Sequence, residues 1–420
     1  MPRMSLSTRP SPGRHRAPSS GLGPAFSTLW LGQAISQLGD YIALITIPTF
    51  VAFEITDNEL FFGIVTAAES LPALLFGFAS GVLVDRVRQR QLMILTDLIR
   101  AGAFLVLGMI GAGQIEAGRW EIVAIAFLAG TMVTTFYSAL NAIIPRLVDP
   151  SEIGEANSRL AVSQQVAFVV GPALGGVVIE SFGFAAAFFL NTATFLVSAI
   201  TLAALGPLPL AGDRVPARFW AEAREGFAIL WGDTRLRHSA MAAVLANFVV
   251  GFIEATFVLI GIKVFGYEDG TGLSTLFIAM GVGGIVGAIA APRLIKWVGL
   301  GRVLVVGMGL YGIGFAALTY AAAGWQAYAL LFIGFGGLAA LNVSIATLRQ
   351  TATPPAALGR VTSLFQAFAW SALPVGALVW TALAGRIGLT LVARTAPLLI
   401  IIAAIGLLRS DVWTAGRSPA

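Results

Sequence analysis

Residues 81–91 read GVLVDRVRQRQ and place Asp85, Arg86, Arg88 and Arg90 within six positions, between two long apolar runs. Charge is scarce elsewhere: 57% of the 420 residues are hydrophobic, only 11% are charged, and the mean hydropathy is +0.86. A soluble domain carries about 25% charged residues, so this chain lacks the polar groups to cover a water-facing surface. Apolar runs of about 20 residues recur, each long enough to cross a hydrocarbon layer about 30 Å thick as a helix. The runs are continuous and rich in Leu, Ala, Gly and Ile, without the alternation of a membrane barrel. The sequence therefore predicts an all-α membrane protein, and residues 81–91 are a turn between two of its spans.

Twelve spans are predicted, at 25–53, 59–84, 92–113, 120–143, 159–180, 183–205, 239–262, 272–298, 302–322, 325–349, 361–384 and 388–408. They sort into a disordered N-terminal segment (1–23), a six-helix bundle (24–205), a polar linker (206–238), a second six-helix bundle (239–409) and a short tail (410–420). The linker holds Pro207, Pro209 and Pro216, then a stretch from Trp220 to Trp231 with helical spacing suited to a membrane surface. With both termini cytoplasmic, 21 of the 26 basic residues fall on the cytoplasmic side. Arg119, Lys263 and Arg386 fall opposite, and Arg100 and Arg394 fall within spans. Cytoplasmic excess of Lys and Arg sets orientation, so the count supports twelve spans in a cell membrane, with bacterial origin suggested by 24 arginines against two lysines.

The halves echo one another. Ala139-Leu140-Asn141 ends the fourth span and Ala340-Leu341-Asn342 the tenth; Gly154, Ser158 and Pro172 are matched by Gly359, Ser363 and Pro374. Two repeats in parallel imply a pseudo-two-fold axis along the membrane normal and a central cavity.

Asp85 is not explained by topology, to which carboxylates contribute little. At the mouth of the second span it can accept backbone N–H groups or pair with an arginine across the cavity mouth. Gly81, Asp85, Arg86 and Arg90 resemble the loop signature between the second and third spans of the major facilitator superfamily. Arg88 stands where that signature has glycine, and Gln89 where it has a basic residue. The resemblance implies a cytoplasmic gate at Gly81, Asp85, Arg86 and Arg90. VVGPALGGVV in the fifth span, with Gly171, Pro172, Gly175 and Gly176, resembles the helix-packing core of exporters that exchange substrate for protons. QLGDYIALITIP, AESLPALLFG and IPRLVDPSEIGEANS resemble the branch of enterobactin exporters and macrolide efflux pumps. The likeness is strongest over the N-terminal half; the C-terminal half matches mainly in span number and hydropathy.

Polar residues at helical spacing in lipid must face protein or water. Gln33, Ser36, Gln37 and Asp40 form such a stripe, as do Thr131, Thr134, Thr135 and Ser138, then Asn247 with Glu254, and Gln366 with Trp370. These are the expected cavity-lining positions. Burying a charge at mid-membrane costs at least about 2.5–3.5 kcal/mol, so a carboxyl there either pairs or keeps its proton. Asp40, then Glu254, then Glu69 are the proton-coupling candidates. Arg100, three residues after Asp97, is expected to pair locally near the cytoplasmic surface, and Arg394 to snorkel.

Two histidines and no cysteine leave no metal cluster and no disulfide to build. No catalytic constellation or phosphate-binding loop is present, so neither an enzyme nor a cofactor is expected, and the basic pI reflects topology rather than nucleic acid. The sequence thus predicts a monomeric transporter coupled to protons that exports small amphiphilic molecules. An uncoupled facilitator or importer is the alternative on the same fold, and a membrane sensor or enzyme the alternative from another class.

Overall fold

A computed structural model describes residues 22–149, 151–206, 219–354 and 357–415, with the side chains of residues 77–86 and 219–223 outside the description. The chain forms α1 (Pro24–Phe50), α2 (Glu59–Arg86), α3 (Gln89–Gly111), α4 (Arg119–Leu147) and α5 (Ile153–Ala204). After a connection come α6 (Phe219–Gly232), α7 (Thr234–Lys263), α8 (Gly270–Val298), α9 (Leu300–Leu318), α10 (Gly324–Ala352), α11 (Leu358–Ile387), α12 (Leu389–Thr395) and α13 (Leu398–Leu407). A membrane interior offers no water to backbone N–H and C=O groups, so the chain satisfies them within helices.

Eleven helical stretches among the described residues are long and apolar enough to cross a membrane. One of them, α5, is 52 residues long and turns a corner at Gly183, whose φ of 81° suits glycine alone. Its two arms make two crossings, so the chain crosses twelve times, as the sequence predicts. The last span is broken rather than continuous: Pro397 has no N–H to donate, and α12 gives way to α13 at that point. An even number of crossings returns the chain to the side where it began. That side is called the near side here, and the side of the α1–α2 and α7–α8 connections the far side.

The packing is pseudo-symmetric. In the first half α1 packs on α5 and α2 on α4; in the second, α7 packs on α11 and α8 on α10. The halves meet through two further pairs, α2 with α11 and α5 with α8. The helix expected in the polar connection is α6. It packs on α11, with Arg360 donating to Glu225 and Phe227 beside Phe368.

Small residues set how closely the halves approach, as expected where lipid supplies no hydrophobic drive between helices. Gly176 on the first arm of α5 lies against Gly270 and Ser274 of α8, and Gly63 of α2 against Ala377 and Thr381 of α11. All of these lie toward the far side. Polar contacts gather there too. Lys263 Nζ donates to Glu59 Oε1 at 2.8 Å and to the Asp57 carbonyl at 3.0 Å, with Asp57 Oδ2 3.4 Å away. Thr271 Oγ1 donates to Glu180, and Ser274 Oγ to the Pro172 carbonyl at 2.7 Å. Each of these contacts joins one half to the other.

Candidate functional site

Four carboxylates and one guanidinium mark the middle of the bundle. α1 carries Asp40, and α3 carries Arg100 at its midpoint. Arg100 Nη2 donates to Asp40 Oδ1, and Nη1 lies 3.5 Å from Asp97 Oδ1. The Arg100 and Asp97 side chains are sealed, at 3% and 0% exposure, while Asp40 keeps 28%. The guanidinium carbon sits 3.9 Å from the centre of the Phe195 ring on the second arm of α5. Arg100 is thus held by two carboxylates and an aromatic face, and only the Asp40 side of this cluster opens to accessible space.

The local pair of Arg100 with Asp97 is present, but two expectations about Arg100 need correction. It lies half-way along α3, not near a surface, and it also reaches Asp40 on another helix. The physical reason is the cost of a buried guanidinium, which one carboxylate at i−3 neutralises but cannot fully hydrogen-bond.

Glu69 and Glu254 show a different pattern. Residues 251–261 of α7 are all buried except Glu254, and Glu69 is exposed directly after the buried Ala67 and Ala68. An exposed carboxylate on an otherwise enclosed helix faces internal space. The two come from opposite halves yet lie close enough for their charges to interact, and Glu69 is similarly within reach of Asp40 and Arg100. Asp40, Glu69 and Glu254 are thus linked through the charges they feel, Glu254 through Glu69 and Glu69 through Asp40.

The remaining predicted positions divide. Gln33, Ser36 and Gln37 are buried, at 2%, 2% and 4% exposure. Gln33 donates to Ser198 Oγ at 3.3 Å on the second arm of α5, so it ties helices together and does not line a cavity. Gln33 thus parts from Asp40 of the same stripe, which keeps an accessible side: α1 has protein on more than one side, and polar spacing alone does not say which side holds water. Thr131, Thr134, Thr135 and Ser138 each donate to the carbonyl four residues earlier, at 2.8–2.9 Å. Their hydroxyl protons are engaged by their own helix, leaving acceptor lone pairs toward any occupant. Asn247 donates to the Ala243 carbonyl at 2.9 Å, while Gln366 and Trp370 are exposed on α11.

Gly171 and Gly175 lie against Tyr41, Ile42 and Ile45 of α1, and Gly176 against α8. The glycine-proline stretch is the seam where α5 meets both α1 and the other half. Gly81, Asp85 and Arg86 lie outside the described side chains. Arg90, the fourth proposed gate residue, donates to the carbonyls of Leu202 and Ala203 at 2.8 and 2.5 Å, inside its own half. Arg394 donates to Thr319 Oγ1 at 3.0 Å and lies 4.0 Å from the Tyr320 ring centre, so it is held by protein. Sequence reasoning missed Arg100 as a cross-helix partner and Lys263 as a link between halves. The signal available for Arg100 was a cation in the middle of an apolar run.

Twelve crossings in two pseudo-symmetric bundles, with a charged cluster buried in the first of them, are the architecture of a membrane transporter of small molecules. The family model described as Major Facilitator Superfamily matches residues 29–377, and the chain belongs to that family. Macrolide efflux protein A of Streptococcus pyogenes is 28% identical over 373 residues, covering 86% of this chain and 90% of the relative. A putative bacilysin exporter, BacE of Bacillus amyloliquefaciens, is 27% identical over 277 residues, covering 65% and 67%. Among solved structures, a bacterial homologue of the lysosomal transporter Spinster, in an inward-facing, unoccupied conformation, superposes with a TM-score of 0.74. It is 14% identical and covers 95% of this chain and all of that one. The nucleoside transporter NupG gives 0.73 at 14% identity, covering 92% and 98%. These structural likenesses speak to fold alone.

Proposed function

We propose that the protein is a proton-coupled exporter of small amphiphilic molecules, working by alternating access in a bacterial cell membrane. The near side is the cytoplasm, where the basic residues gather, and both chain ends lie there. On that orientation the clamped far side is the outer gate, and the conformation described is inward-facing. The bundles 24–205 and 239–409 rock about the cavity, joined by the linker 206–238, and one chain is the working unit. The cytoplasmic latch is assigned to Gly81, Asp85, Arg86 and Arg90, which close that mouth when the outer gate opens.

One observation carries the coupling: Asp40, partly exposed to the cavity, is bound to a sealed Arg100 that has Asp97 as a second partner. A proton arriving at Asp40 cancels its charge, and Arg100 retains Asp97, so α1 is released from α3 without stranding a cation. Glu69 and Glu254 are the other carboxylates able to exchange protons with the cavity. The export direction draws support from relatives named for macrolide efflux and bacilysin export.

The test uses the purified full chain in liposomes carrying an internal pH dye, with a macrolide and a dipeptide as trial substrates. Substrate added to the wild type should drive proton movement, and Asp40→Asn should abolish that movement while substrate still equilibrates. Equal proton movement in the two proteins removes Asp40 from the mechanism. Transport by the wild type without any proton movement makes the protein a facilitator.

A further inference from the structure

We propose that the near-side end of α8 binds an anionic phospholipid, its phosphate held by Arg293 and Lys296 and one acyl chain lying in the groove beside them. The inference goes beyond the exporter reading and does not depend on it. The first observation is one of charge. From residue 270 to residue 410 the chain carries eight Lys and Arg and no Asp or Glu. Several of these cations are answered by protein: Arg360 by Glu225, Arg394 by Thr319, Arg349 by the Phe365 ring at 4.7 Å and Arg302 by the Trp413 ring at 5.7 Å. Arg293 and Lys296 are exposed and make no ion pair, hydrogen bond or ring contact among the described residues. The turn that follows them, between α8 and α9, is the counterpart in the second half of residues 81–91. The first turn keeps a carboxylate, Asp85, among its arginines, whereas the second has cations alone. Cations left unanswered at a membrane surface draw their counter-charge from lipid, and basic pockets beside transmembrane helices bind anionic headgroups.

The second observation is one of shape. An open groove of about 300 Å³ runs along α8, lined by Val286, Ile289, Ala290, Arg293, Leu294 and Trp297. These positions recur at helical spacing and form one stripe, about 17 Å from Val286 to Trp297. That is close to half of a hydrocarbon layer about 30 Å thick, the depth of a single leaflet. Ile289 and Trp297 are 60% and 80% exposed, so the protein leaves the stripe uncovered. Trp297 ends the stripe beside the two cations, and an indole there sits at headgroup level. Phosphate, glycerol ester and acyl chain of one lipid thus meet cations, indole and apolar groove in that order. A soluble phosphate would leave the groove empty, and a zwitterionic lipid would bring its own cation to a site that already has two.

The experiment uses the full chain in phosphatidylcholine nanodiscs. The chain has no native cysteine, so Ile289→Cys carries a single bimane in the groove. Its quenching is compared for small, equal fractions of phosphatidylglycerol and phosphatidylcholine bearing a nitroxide on one acyl chain. Phosphatidylglycerol should quench more strongly, and Arg293→Gln and Lys296→Gln should each lower that preference about fivefold, the worth of one cation near an anionic surface. Arg235→Gln removes an exposed cation from the same side of the membrane on α7, and screening should hold its effect within about twofold. Equal quenching by the two lipids in the otherwise unaltered chain overturns the assignment, as does a preference that survives loss of both Arg293 and Lys296. An equal loss in Arg235→Gln overturns it too, because the attraction would then belong to the whole surface. Replacing chloride by inorganic phosphate at equal ionic strength should change nothing; release of the lipid would make a soluble anion the occupant and overturn the lipid site.

Discussion

Arg100 of α3 bridges Asp40 of α1 and Asp97 of its own helix, and the bridge is lopsided: Asp97 is sealed while Asp40 is partly open. The two ends should therefore respond differently to mutation. Arg100→Gln leaves two carboxylates without a cation, one of them fully buried, and should destabilise by about 3–5 kcal/mol. Asp40→Asn leaves Arg100 its second carboxylate and should cost only about 1–2 kcal/mol. Combining the two should recover little, because Asp97 stays unpaired. Thermal unfolding in detergent checks the order; equal losses for the two single variants would contradict the arrangement.

The spans were legible because lipid imposes a length on every apolar run; only Ser181 and Phe182 separate the predicted fifth and sixth spans, and the unbroken helix through that corner was not foreseen. The seam at Gly171, Pro172, Gly175 and Gly176 was legible as residue size. The destination of a polar side chain was not. Gln33, Ser36 and Gln37 fall at one helical spacing with Asp40, yet Gln33 turns to Ser198 while Asp40 turns to Arg100. Helical periodicity gives an angle around one axis and says nothing about which neighbour stands there. The Arg100–Asp40 pair, 60 positions apart in sequence, exists only once α1 and α3 are packed.

Lys263 joins the end of α7 to Asp57 and Glu59 beside α2, so it holds the far side shut. Its side chain is one-third exposed, and partly exposed pairs contribute about 1 kcal/mol at most. Lys263→Ala should therefore shift the balance toward far-side opening by no more than about fivefold, and high salt should mimic part of that shift. Spin labels at Glu54 and Glu268, both exposed and on opposite halves, report the distance directly. The chain has no cysteine of its own to compete for label. A distance distribution unaltered by Lys263→Ala would show that the glycine seam alone holds this end.

That seam makes its own prediction. A Cβ at Gly176 would fall on Ser274 Oγ and the Gly270 carbonyl across the junction between halves, whereas one at Gly376 would fall on the Phe248 carbonyl within the second half. Backbone cannot yield as a flexible side chain can, so each alanine forces its two helices apart. Gly176→Ala should lengthen the Glu54–Glu268 distance with a small loss of thermal stability. Gly376→Ala should leave that distance unchanged and lower stability by about 1–3 kcal/mol. The opposite pattern would place the hinge of the motion inside a bundle.

The linker helix α6 offers the last test. Phe227 stacks on Trp231 at 5.3 Å with an interplanar angle of 13°, and lies 6.3 Å from Phe368 of α11. Phe227 and Trp231 remain 41% and 45% exposed, the pattern of an amphipathic helix whose apolar face meets both protein and the membrane interface. The Glu225–Arg360 contact sits at the exposed rim, where an ion pair adds little, so the rings carry the docking. Phe227→Ala removes the ring common to both contacts, a loss of about 1.5 kcal/mol, which corresponds to about tenfold in a local opening equilibrium. Amide exchange in residues 224–232 should speed up by that factor while the interior of α11 stays protected. Glu225→Gln should change exchange by no more than about threefold; if it instead matched Phe227→Ala, the ion pair rather than the aromatic stack would be what fastens the linker to the second bundle.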